Sequence, residues 1–168
     1  MFTLKHYFVK LVSLNCLMDS SELSRLSHNE KELLLRAPLL VCILIAGADG
    51  KIDDKEIRRT LQMAEQRNSV SPVLGIFFSD LVADFEEKLR VLMQSYSSNA
   101  EERTNDISRE LAGLNQLWTR LSPKFSAAYY EMLKYFARDI AKSSGGLWRG
   151  KISSEEARLI ELPMVIAP

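Results

Sequence analysis

The sequence predicts an all-α fold, a single-domain bundle of six or seven helices around one central apolar helix. Two patterns carry that expectation. Apolar residues recur every three or four positions over long stretches, and Ser or Asp followed three residues later by Glu marks one helix start after another. No stretch of comparable length alternates with period two, as a half-buried strand would.

The elements follow in order. Residues 1–29 read as an N-terminal helical extension and residues 30–168 as the main domain. Ser27 and Glu30 form a capping box, in which the hydroxyl accepts the amide of residue 30 and the carboxylate reaches back. The helix they open should run to about Gly47. From Leu33 to Ala48 it is apolar on nearly every side, as a helix surrounded by others must be. Pro38 lies within it and predicts a kink or a late start there. Asp53 and Glu56 box a shorter helix that buries Ile57, Leu61 and Ala64.

Ser71-Pro72 places a cap before a proline at the first helical position. Leu74, Phe78, Leu81, Phe85, Leu89, Leu92 and Tyr96 then form one stripe. Ser98 and Glu101 box the next start, with Ile107, Leu111, Leu114, Trp118 and Leu121 on its face. Ser122-Pro123 restarts the chain for a helix striped by Phe125, Tyr129, Met132, Phe136 and Ile140. Gly145-Gly146 breaks it, and Ser153 and Glu156 cap a last short helix stopped by Pro163.

Composition narrows the class. At 168 residues the chain suits one domain with a substantial core. Its 22 Lys+Arg balance 22 Asp+Glu, so no net field favours nucleic acid or an anionic membrane. Cys16 and Cys42 lie on apolar segments and read as reduced core residues rather than a disulfide framework. Lys5, His6 and Lys10 interrupt the N-terminal apolar residues with no small-residue cleavage site after them, unlike a secretory signal. The apolar run from Ala37 to Ala48 is too short for a bilayer that needs ~20 residues. A cytoplasmic protein with no transmembrane segment is expected.

The chain carries one internal echo. Residues 50–56 read GKIDDKE and residues 150–156 read GKISSEE. In each, a Gly ends a turn, an Ile plugs the corner and an Asp or Ser caps the next helix, with Glu three residues on. A helix-pair repeat and convergence of two helix starts both account for the match. Aligned on Gly50, an EF-hand loop would put Asp49, Asp53 and Glu56 on ligand positions but Ile45 and Gly47 on the first and third, which offer no side-chain oxygen. A weaker divalent site from Asp49, Asp53, Glu56 and Glu156 stays open beside the structural reading, an Asx-turn at Asp49 and a cap at Asp53.

The stretch LLVCILIAGADGKIDDKEI resembles the first half of the TerB-like domains of tellurite-resistance systems. Those domains carry an apolar helix ending in Ala-Asp-Gly, then a hydrophobic residue and a Glu in the next helix; Ala48, Asp49, Gly50, Ile52 and Glu56 match. GKISSEEARLIELP occupies the place of the similar second half, with Arg149 and Ser153 where acids would be expected. The resemblance implies an all-helical module, acidic helix-junction residues proposed to bind metal (Ca, Mg or Mn), and a protein partner in a stress-response system, often near a membrane. A homodimer is a further candidate assembly.

Other site classes find less support. Asp80, Asp84 and Glu87, and Glu102, Asp106 and Glu110, form acidic ridges that read as solvated faces. Neither His6 nor His28 supplies the Glu-x-x-His of a di-iron bundle. The chain has no P-loop, G-x-S-x-G, H-E-x-x-H or dinucleotide fingerprint. Trp148 and Arg149, just after Gly145-Gly146, are candidate partner-binding residues, since an aromatic in a Gly-flanked loop can anchor an interface. A non-enzymatic binding module is therefore expected. The alternatives are a metal-dependent enzyme built on Asp49, Asp53 and Glu56, and a helical protein of unrelated role.

Overall fold

The computed structural model describes residues 25–47, 85–143 and 154–168. These residues are helical, with no strand among them. The helices are α1 (His28–Ala46), α2 (Phe85–Gln94), α3 (Ala100–Ala112), α4 (Leu114–Leu117), α5 (Pro123–Ser143) and α6 (Ser154–Ile160). The all-α expectation holds. The N-terminal extension before residue 25, the helices expected between residues 51 and 84, Cys16, and both copies of the Gly-Lys-Ile echo lie outside the described residues.

Helix α1 starts where its capping box places it. The Ser27 amide donates to Glu30 Oε2 at 2.6 Å and the Glu30 amide donates to Ser27 Oγ at 3.3 Å. Arg120, just past α4, adds hydrogen bonds to Glu30 and to the carbonyl of Arg25. Every residue from Ala37 to Gly47 is buried, as is Leu34, and α1 packs against each of α2, α3, α4, α5 and α6. Each large aliphatic side chain moved from water to this position contributes roughly 1.5–3 kcal/mol. A helix so enclosed has no polar face, which is why its sequence is apolar all round.

Pro38 does not delay the start of α1, which runs unbroken from His28. A proline there has no amide to give the Leu34 carbonyl one turn earlier. The Tyr129 hydroxyl of α5 donates to that carbonyl at 2.5 Å, in the buried interior. Burial pushes the Tyr129 pKa well above its usual 10, so the hydroxyl stays protonated and a donor. Phe125 stacks on the Tyr129 ring at a centroid distance of 5.7 Å, and Trp118 meets it tilted at 6.3 Å.

Two other starts can be compared with the sequence. The cap of α3 is Asn99, not Ser98: Asn99 Oδ1 accepts from the amides of Glu101 and Glu102 at 2.9 and 3.1 Å. A carboxamide at this position meets two free helix amides with one oxygen. Ser122 does precede α5, its hydroxyl accepting from Phe125 N at 3.4 Å, and Phe125, Tyr129, Met132, Phe136 and Ile140 are all buried. Gly113 ends α3 and a short turn, α4, follows. Helix α6 stops before Pro163, where Leu162 takes φ 49° and its amide donates to Leu159 O at 2.9 Å.

Two substitutions test these boundaries. Ser27→Ala should lose about 0.5–2 kcal/mol, because it strands an amide at the start of α1. Gly47→Ala should destabilise by about 1–3 kcal/mol despite alanine's helix propensity. A Cβ at Gly47 would lie 2.7 Å from the main-chain oxygen of Ile43, which cannot swing away. Urea denaturation of both variants measures these losses; an unchanged Gly47→Ala would contradict the close approach.

Candidate functional site

The sequence-predicted metal set cannot be placed as a set. Asp49, Asp53 and Glu56 lie outside the described residues, as do Trp148 and Arg149. Glu156 has its backbone within α6, with its side chain outside the description. Among the described residues no three His, Cys, Asp or Glu side chains come together as a metal-binding group. Cys42 is buried within the core, and burial raises its thiol pKa far above the ordinary range, leaving it an unreactive core residue.

Gly47, the cap of α1 and two residues before Asp49, is held by an arginine. Arg103 is 8% exposed. Its guanidinium donates to Gly47 O at 3.0 Å and to the carbonyls of Ser97 and Ser98 at 3.4 and 3.3 Å. A planar cation at a helix C-terminus meets the unpaired carbonyls and the negative end of the helix dipole together. Arg103 thereby ties the exit of α1 to the turn entering α3. Its place in the stripe was a legible signal, since 103, 107 and 111 fall on one helix face and Ile107 and Leu111 are buried.

The acidic ridge on α3 is not uniformly solvated. Glu102 accepts from Ser97 Oγ at 2.7 Å, and Asp106 pairs with Arg109 at 3.1 Å on the surface. Glu110 instead turns inward, paired with Arg36 of α1 and accepting from the Tyr96 hydroxyl at 2.5 Å. Burial first, then the hydrogen bond to Glu110, raises the Tyr96 pKa above its usual 10. These three groups clip α1, the end of α2 and α3 together. Asp80 and Asp84 lie outside the described residues, and Glu87 is exposed.

The most developed polar constellation lies where residues 161–166 return across α4 and α5. Asn115 grips the segment from both sides of residue 165: its Nδ2 donates to Met164 O at 3.0 Å, and its Oδ1 accepts from the Ile166 amide at 2.8 Å. Trp118 Nε1 donates to Ile166 O at 2.8 Å. Lys134 of α5, 7% exposed, donates to Glu161 O at 3.1 Å and pairs with the Glu161 carboxylate. Arg138 approaches the same carboxylate at 3.7 Å. Val165 N donates to Leu162 O at 2.9 Å, closing a β-turn with Pro163 at its second position, where the fixed proline φ suits it. Leu162 and Val165 are buried, while Pro163 and Ile166 face outward. Sequence reasoning missed Asn115 and Lys134, because a polar residue beside an apolar stripe looks like any solvated neighbour.

Comparison with protein-family models, with curated proteins and with solved structures gave no match to this chain. No helix among the described residues is long and apolar enough to cross a membrane.

Two measurements probe the site. Arg103→Met should lose about 1–3 kcal/mol, as the buried Gly47 carbonyl loses its charged donor, and Arg103→Lys should recover part of it by restoring one donor centre. Lys134 and then Arg138 hold the Glu161 carboxyl below its usual 4.5. The pair's contribution is therefore present above that value and is lost as pH falls through the lowered pKa. Hydrogen exchange at the Ile166 amide should be steady from neutral pH to about 5 after correction for intrinsic rates, and faster once Glu161 protonates. A protection factor that begins to fall near neutral pH would contradict this assignment.

Proposed function

We propose that the chain is a non-enzymatic helical binding module of the TerB-like kind, a bundle of six or seven helices with a helix-pair repeat, acting in the cytoplasm within a stress-response assembly. One observation supports this reading above the others. The stretch LLVCILIAGADGKIDDKEI combines the family's apolar helix with its Ala-Asp-Gly exit, and its first part is the enclosed half of α1. The buried half of α1 ends at Gly47, whose carbonyl Arg103 holds. The partner is a protein, membrane-associated or a second copy of the chain.

In this reading Asp49 closes a turn and Asp53 and Glu56 cap a helix, and a divalent cation is at most a weak ligand of these acids and Glu156. Trp148 and Arg149 are the partner-facing residues.

Size-exclusion chromatography of native lysates, before and after tellurite or oxidant exposure, tests the assembly. The chain should elute well above its monomer size under stress. Elution as a monomer in both conditions would contradict the module. Thermal melts with EDTA and with millimolar calcium, magnesium or manganese test the junction. Wild type should gain at most a degree or so, and Asp49→Asn, which keeps the turn acceptor, should melt close to it. A ligand at 100 times its dissociation constant stabilises by about 2.7 kcal/mol, several degrees for a domain of this size. A gain of that size that Asp49→Asn abolishes would make the acids true ligands.

A further inference from the structure

We draw no further inference here: the strongest candidate, the polar cluster of Arg36, Glu110 and Tyr96 where α1, the end of α2 and α3 meet, has a buried Arg36 Nε with no partner among the described residues, yet it belongs to the inter-helix clip already described and nothing beside it among those residues points to a ligand.

Discussion

The bundle is organised around the carbonyl of Leu34. Pro38, four residues on, has no amide to bond it, and the carbonyl lies in the buried interior where an unmet acceptor costs about 1–3 kcal/mol. Tyr129 supplies the missing donor from the neighbouring helix. This single bond fixes several things at once. It sets the depth at which α5 lies against α1, it gives the buried tyrosine hydroxyl a partner, and it orients a ring against which Phe125 and Trp118 pack. Trp118 in turn spends its one polar atom on Ile166 O, so the interior of the bundle and the clamp on the segment 161–166 share an aromatic cluster.

The same logic recurs where α1 meets its other neighbours. An apolar helix enclosed on every side takes its axial position from interdigitating side chains, and polar contacts at a few points add directional constraints to that packing. Three contacts supply those constraints. Arg120 joins the capping box at the start of α1, Arg36 reaches Glu110 of α3 near its middle, and Arg103 binds Gly47 O at its end. Each is an arginine, whose rigid fork can satisfy several oxygens at one end of a long apolar stem. The core supplies most of the stability, and these contacts select one arrangement of it.

Much of the local structure was legible in the sequence because it depends on neighbours in the chain. Ser27 with Glu30, Ser122 before Pro123, the stripe from Phe125 to Ile140 and the enclosed helix before Gly47 are all short-range patterns. The α3 cap moved by one residue, to Asn99, because Ser and Asn are both good caps and spacing alone does not choose between them. Pro38 was legible as a disruption but not as a bond, since the residue that answers it is more than ninety positions away. Glu110 looked like one of a row of solvated acids for the same reason: Arg36 is distant in sequence. The clamp built by Asn115 and Lys134 depends wholly on how a later segment returns, which no local pattern states. The acidic residues Asp49, Asp53 and Glu56 are legible as a motif, and their resemblance is the source of the functional proposal, while the described geometry bears on where the helix before them ends.

The dependence of the bundle on the Leu34 carbonyl can be measured with a double-mutant cycle on Pro38 and Tyr129, followed by urea denaturation. Tyr129→Phe alone removes the donor and should cost about 1–3 kcal/mol. In a Pro38→Ala background the alanine amide can bond the carbonyl within the helix, so the same change should cost about 1 kcal/mol less, a coupling well outside the ~0.3–0.5 kcal/mol expected of independent sites. Equal losses from Tyr129→Phe in the two backgrounds would show that the hydroxyl does not answer the proline, and would contradict the account.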